Sequence, residues 1–329
     1  MEHKKFIIIT SIFPPTEAVY SFAKMADYKL VVVGDKKTPK NWNCQNAIFL
    51  PVDDNSLLKG TKLQSVLPYN HYCRKMLGYL YAIQQNAKII IDTDDDNIPK
   101  TNWNFPDFEG NFVFHKSEQK FVNIYNYFTK QHIWARGLPL KFINSISDFS
   151  SVNPEFSNVG IWQGLADEDP DVDAIYRLVS DKPCIFDEKP PIVLDKNIIS
   201  PFNTQNTCIR RELFPLLYLP VNVSFRFTDI LRGLVAQPIM WLYNFHLGFT
   251  SATVVQKRNP HDYFKDFLQE IPMYEHCEKS VELVEKVVAK NRSISDNLYE
   301  AYNELSRHNI VPTTELPVLE AWLKDINSK

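Results

Sequence analysis

An α/β fold, a sheet flanked by helices with a helical C-terminal extension, is what three features of this sequence predict. Short β-branched apolar runs alternate with amphipathic stretches in the N-terminal part, the order of a sheet with covering helices. Ile89-Ile90-Ile91 then runs straight into Asp92-Thr93-Asp94-Asp95-Asp96, so a buried strand ends in four carboxylates. Beyond Pro272, Val281, Val284, Val288, Leu298, Tyr302 and Leu305 recur at helical spacing among charges. The expected division is a sheet domain over 1–271 and an extension over 272–329.

Element by element, the first strand is Phe6–Thr10, followed by the Pro14-Pro15 loop and a short helix from Thr16 to about Ala26. Lys29–Val33 is a second buried strand, stopped by Gly34-Asp35, and Ala47–Leu50 a third, set among loops. A helix over His71–Gln85 leads into the acidic strand. Right-handed connections between parallel strands then bring Asp35 and Asp92–Asp96 to one rim of the sheet. Residues 101–150 are aromatic and Asn-rich without a clear period, and are expected to be irregular connections with short strands. Residues 171–180 suggest a helix, Pro190-Pro191 a loop, and Thr228–Leu242 a helix capped by Ser224 or Thr228 and kinked at Pro238.

Composition narrows the function. The chain has 329 residues, a net charge of −3 and no long basic block, which argues against nucleic acid as a partner. No apolar run reaches the length of a membrane span. The five cysteines, Cys44, Cys73, Cys184, Cys208 and Cys277, are scattered and form no C-x-x-C pair, as in a reduced cytoplasmic protein. Only nine glycines occur, and none forms a dinucleotide, Walker-type or serine-hydrolase motif. A nucleotide would therefore be held through carboxylates and a metal.

The acidic strand is the leading candidate for that role. Ligands of open α/β sheets bind beyond the C-terminal strand ends. Carboxylates crowded there repel one another unless a cation neutralises them, and Mg²⁺ or Mn²⁺ takes one or two carboxylates together with substrate phosphates. A solvated acidic turn is the competing reading. Arg74, Gly78 and Tyr81 share one helix face; Gly78 would permit close approach and Arg74 would pair with a phosphate. Asp229 sits near a helix start and is a candidate general base toward an acceptor hydroxyl. Asp167–Asp173 is a second acidic cluster, suited to sugar hydroxyls, with Trp162 before it to stack on a sugar ring, or to capping a helix. Lys257-Arg258-Asn259-Pro260-His261 combines two cations with a potential metal ligand and would close over a diphosphate.

Several of these segments together resemble the STELLO-type glycosyltransferase-like family. The resemblance begins at Thr10-Ser11-Ile12-Phe13-Pro14-Pro15-Thr16 and continues through Arg74-Lys75-x-x-Gly78-Tyr79-Leu80-Tyr81 and the acidic strand. It takes in Gln163-Gly164-Leu165-Ala166, Asp169-Pro170-Asp171-Val172-Asp173-Ala174-Ile175 and Asn203-Thr204-Gln205. It ends with Asp229-Ile230-x-Arg232-Gly233 and Arg258-Asn259-Pro260-His261, covering roughly 6–265. More distantly, the chain is similar to the reversibly glycosylated polypeptides, which include UDP-arabinopyranose mutases. Both families imply a GT-A-like fold, a nucleotide-sugar-binding mixed sheet flanked by helices with an Asp-x-Asp metal site. Plant STELLO members are membrane-anchored Golgi proteins. The resemblance here is to the catalytic-type domain, and the expected localisation is cytoplasmic.

The resemblance implies a metal-dependent glycosyltransferase, the kind of enzyme used in polysaccharide biosynthesis. Its cofactors would be Mn²⁺ or Mg²⁺ and a nucleoside diphosphate sugar, a UDP-sugar foremost. The acceptor would be a glycan or lipid-linked hydroxyl. Asp94, Asp95, Asp96 and His261 are the expected metal ligands, with the functional pair left open among Asp92, Asp94, Asp95 and Asp96. Ser11, Asp35, Arg74, Gly78, Asp92, Lys257 and Arg258 are expected on the donor, and Asp171, Asp173 and Asp229 at the chemistry. Peripheral membrane contact and self-association through the C-terminal helices are compatible with this reading. The alternatives are a nucleotide-sugar mutase and a non-catalytic assembly factor that keeps the fold.

Overall fold

The computed structural model describes residues 4–54, 56–58, 60–149, 153–257 and 262–328. Its first strands are β1 (Lys5–Thr10), β2 (Lys29–Val33), β3 (Ala47–Leu50) and β4 (Ile89–Thr93). They pair in parallel in the order β3-β2-β1-β4. Ile7, Ile8, Ile9, Val31, Val32, Ile90 and Ile91 are fully buried, because these strands are covered on both faces. On one side lies α1 (Glu17–Ala23), capped by Thr16, whose side chain accepts from Val19 N. On the other, after the short α2 (Leu63–Val66), lies α3 (Lys75–Gln84), entered through a 3₁₀ turn at Tyr72–Arg74. The expected helix over His71–Gln85 is thus two elements.

From β4 onward the sheet is mixed. It continues through β5 (Asn97–Pro99), β6 (Glu109–His115), the short α4 (Tyr125–Phe128), β7 (Asn153–Glu168), α5 (Ala174–Val179), β8 (Ile192–Leu194) and β9 (Asn206–Arg210). Helix α6 (Thr228–Leu242) and strand β10 (His246–Gln256) complete the domain. The order across the sheet is β3-β2-β1-β4-β9-β7-β6-β8-β10-β5, with β7 also parallel to β10 and β9 antiparallel to both β4 and β7. The parallel alternation expected from the N-terminal part therefore describes one half only. Residues 101–150, expected to be irregular, do contain β6 and α4.

Helix α6 is continuous through Pro238, and neither Ser224 nor Thr228 caps it. It packs on the sheet and against α7 (Tyr263–Val287) and α8 (Ile294–Arg307), while α9 (Glu315–Asn327) packs on α8, α2 and α3. Helix α7 runs unbroken across residue 272, with Pro272 inside it. The apolar stripe expected there is real: Val281, Val284, Leu298, Tyr302 and Leu305 are buried against the chain's own core. Among the described residues, no helix is long and apolar enough to cross a membrane. All five cysteines are free and buried.

Candidate functional site

The ends of β1, β2 and β4 open into a groove. A cavity of about 210 Å³ is lined by Ser11, Asp35, His71 and Arg74, among others. A second, of about 270 Å³, is lined by Asp94, Asp95, Asp96, Arg136, Asp171 and Asp229. Thr10, Tyr72, Asp95 and Phe225 line both, so the two are continuous. The rim expected from right-handed connections is therefore where Asp35 and the acidic strand meet.

At the first cavity, Asp35 Oδ1 accepts from Lys36 N at 2.7 Å and Oδ2 from His71 N at 3.3 Å. Arg74 Nε stands 3.9 Å from Asp35, and its guanidinium lies 4.8 Å above the Tyr69 ring. Burial keeps His71 neutral, with a pKa of about 4, and its Nδ1 accepts from Cys73 N. Ser11 donates to Asp95 Oδ2, tying the β1 end to the acidic turn. Gly78 lies elsewhere. A Cβ there would stand 2.5 Å from Ile8 Cγ2 and 2.9 Å from Val33 Cγ2, so the glycine seats α3 on the sheet and meets no ligand.

The four carboxylates of the acidic strand divide by position. Asp92, expected on the donor, is fully buried behind the groove. It is held by Lys75 Nζ at 2.9 Å and Arg232 Nη1 at 2.8 Å, so its charge is neutralised inside the protein. Lys75 also donates to Asp94 Oδ1 and to Thr93 O, both at 2.8 Å. Burial would lower the Lys75 pKa, but Asp92 and Asp94 outweigh it and raise it, so this lysine is a permanent internal cation. Asp94, Asp95 and Asp96 face the groove. Burial, opposed by Lys75 and reinforced by Asp96, lifts the Asp94 pKa to about 6. Gln256 Nε2 donates to Asp96 Oδ2 at 3.2 Å.

These three groups fit an open divalent-cation site better than a closed one. Among the described residues, no group of three or more His, Cys, Asp or Glu is placed to hold a metal unaided. Mg²⁺ and Mn²⁺ need only one or two carboxylates when phosphate oxygens and water complete the shell. Burial is the main cause of the raised Asp94 pKa, and Asp96 adds to it; a cation bound there would offset both. Lys257 borders a neighbouring surface pocket together with Asp95 and Asp96. Arg258 and His261 lie outside the described residues.

The second cavity also holds a residue that sequence reading missed. Arg136 donates from Nε and Nη2 to the two oxygens of Asp171, each at 2.8 Å, and from Nη1 and Nη2 to Asp229 at 3.1 and 3.0 Å. Asn203 Nδ2 adds a 2.7 Å bond to Asp171; Tyr72 Oη and Thr204 N add bonds of 3.3 Å to Asp229. Burial would raise the Asp229 pKa, but Arg136 overcomes it and holds Asp229 at about 2. Such a carboxylate is a weak proton acceptor, which counts against the general-base role expected for it.

Two other expectations are corrected by packing. Asp173, a candidate at the chemistry, is fully buried as the N-cap of α5, accepting from Tyr176 N at 2.9 Å and Trp134 Nε1 at 2.8 Å. Trp162, considered for stacking on a sugar, is fully buried in the core against Phe112.

The model of the STELLO glycosyltransferases matches residues 226–329. Among curated proteins, "Probable glycosyltransferase STELLO1" of Arabidopsis thaliana is 26% identical over 98% of this chain and 44% of its own length. "Probable glycosyltransferase STELLO2" of the same plant is 31% identical over 72% of this chain and 34% of its own. The chain thus spans less than half the length of the curated relatives it matches. A solved structure titled "Crystal Structure of a Mycobacterial Protein" aligns at a TM-score of 0.42 and 12% identity, over 86% of this chain and 74% of that one. With a relative 31% identical over 72% of this chain, the chain belongs to the STELLO glycosyltransferase family.

Proposed function

We propose that this chain transfers a sugar from a nucleoside diphosphate sugar to a hydroxyl acceptor. One observation carries the reading: a single groove joins the Asp35–Arg74 cavity to a second cavity that holds both the Asp94–Asp96 carboxylates and the Asp171–Arg136–Asp229 cluster. Those neighbouring chemistries suit a nucleoside, a diphosphate and a sugar bound in one continuous groove.

Asp35 and Arg74 would hold the base or ribose. Ser11 orients Asp95, and Lys75 fixes Asp94, so the carboxylates that face the diphosphate are preorganised. A divalent ion held there would supply charge stabilisation to the departing diphosphate. Lys257 is placed to add a further positive charge at that end. Asp171, whose Oδ1 accepts from Arg136 alone, would keep a lone pair for a sugar or acceptor hydroxyl. Asp229, held at about 2 with its oxygens already accepting from Arg136, Tyr72 and Thr204, would fix Arg136 beside the sugar rather than take a proton.

The test pairs calorimetry of UDP, with Mn²⁺ or excess chelator, against transfer measured on the wild type and Asp94→Asn. The reading expects binding that needs the metal, and transfer reduced by at least ~100-fold in the folded variant, as for a lost electrostatic stabiliser. Unchanged transfer in chelator and in the variant would remove the metal site. A ring-isomerised nucleotide sugar formed without acceptor would move the reading to a mutase.

A further inference from the structure

Five carboxylates line the larger cavity: Asp94, Asp95, Asp96, Asp171 and Asp229. Two cations line it with them, Arg136 and Arg226. Both guanidinium groups already have carboxylate partners. Arg136 spans Asp171 and Asp229, and a further N–H goes to the Arg226 carbonyl. Arg226 is paired through Nε at 2.9 Å and Nη2 at 2.8 Å with Glu270, a fully buried residue of α7. The remaining lining at this end is neutral: Tyr72, Asn203, Thr204, Gln205 and Gln256. Such amides and hydroxyls give and accept hydrogen bonds with sugar hydroxyls.

Resting on the donor-site reading above, we infer that the transferred sugar carries no acidic group. A hexuronic acid differs from its parent hexose by one carboxylate in place of a hydroxymethyl group. Placed beside Asp171 and Asp229, that charge would meet two carboxylates and no guanidinium, among the described residues, that lacks a carboxylate of its own. In a half-enclosed cavity the repulsion is screened far less than on an open surface. Capturing the acidic sugar would require Arg136 to release one aspartate, leaving that aspartate buried and unpaired. A neutral sugar leaves the triad intact.

Calorimetry on the wild-type protein with Mn²⁺ present tests this without any variant. The ligands are UDP and GDP alone, and then neutral and oxidised pairs: UDP-glucose with UDP-glucuronic acid, UDP-galactose with UDP-galacturonic acid, and GDP-mannose with GDP-mannuronic acid. In each pair that binds, the acidic member should bind at least ~10-fold more weakly than its neutral partner, a gap set by like-charge repulsion at the sugar end. An acidic member binding as tightly as its partner, or more tightly, overturns the inference while the donor site stands. If neither UDP nor GDP binds, with or without metal, the donor-site reading itself fails and takes this inference with it.

Discussion

At the scale of single residues, Arg136 decides the geometry of the sugar end. It is 5% exposed and holds two carboxylates that would otherwise repel each other. Lysine cannot replace it, because an ammonium is a point charge and cannot bridge two carboxylates through a planar fork. Arg136→Lys should therefore fold, bind UDP nearly as the wild type does, and lose transfer by about 100-fold, the cost of misplacing reacting groups. Wild-type transfer in that variant would show the triad to be structural. Asp173 makes the opposite case. Burial raises its pKa from 3.8 to about 6. The folded chain thus holds this proton more tightly than the unfolded one, so the group's contribution to stability is full below pH 3.8 and lost as pH rises to about 6. Asn can still cap the helix and never ionises, but it gives up the acceptor for Trp134 Nε1, a loss that does not vary with pH. Asp173→Asn should gain thermal stability relative to wild type across that window, level off above it, and transfer normally. A variant that folds yet loses transfer would restore Asp173 to the chemistry. The acidic strand was legible because its carboxylates are contiguous. Arg136 was not, since its partners lie 35 and 93 residues away and nothing periodic marks Trp134–Leu138.

At the scale of elements, the seat of α3 shows how packing positions chemistry. The helix begins at Lys75, directly after Arg74, and touches β1 and β2 at Gly78. A methyl group at position 78 would collide with Ile8 and Val33, branched side chains in the core of the sheet. Gly78→Ala gains about 1 kcal/mol in helix propensity. Overpacking opposes this by about 1–3 kcal/mol. We expect a net loss of stability by chemical denaturation, with weaker UDP binding because Arg74 and Lys75 move with the helix. A midpoint equal to or above the wild type would contradict the close seat. The strands β1 to β4 could be read from sequence because burial on both faces makes them unbroken apolar runs. β7 and β10 could not. Gly160, Gly164 and Gly248 interrupt them, and polar residues punctuate them, because neighbouring side chains fill the space instead. A Cβ at Gly248 would stand 2.3 Å from the Trp162 ring. Strand propensity yields here to packing across the sheet.

At the scale of the whole molecule, the C-terminal helices are joined to the groove by two buried glutamates. Glu315, at the start of α9, is fully buried and accepts from Val221 N at 2.9 Å, from Asn222 N at 2.8 Å and from Tyr218 Oη. Glu270 of α7 accepts from Ala174 N at 2.7 Å, close to Asp171, and holds Arg226. The segment between these anchors carries Phe225 and Arg226 into the cavity and ends at α6, which bears Asp229. Helical periodicity revealed an apolar stripe but gave no sign of these polar ties, whose partners lie 44 to 97 residues apart. The extension thus positions part of the site as well as covering the core. Two variants separate these roles. Trp322→Ala removes a fully buried side chain of α9 that bonds the Pro215 carbonyl and none of the groove residues, costing about 3–5 kcal/mol. Glu315→Ala leaves two backbone donors unmet, costing about 1–3 kcal/mol each. Both should lower the melting temperature. Under conditions where each is folded, Trp322→Ala should transfer at the wild-type rate per molecule, whereas Glu315→Ala should bind UDP but transfer more slowly, because the segment at Tyr218–Asn222 that leads to Phe225 and α6 loses its anchor. Equal rates per folded molecule would reduce the extension to a cover for the core.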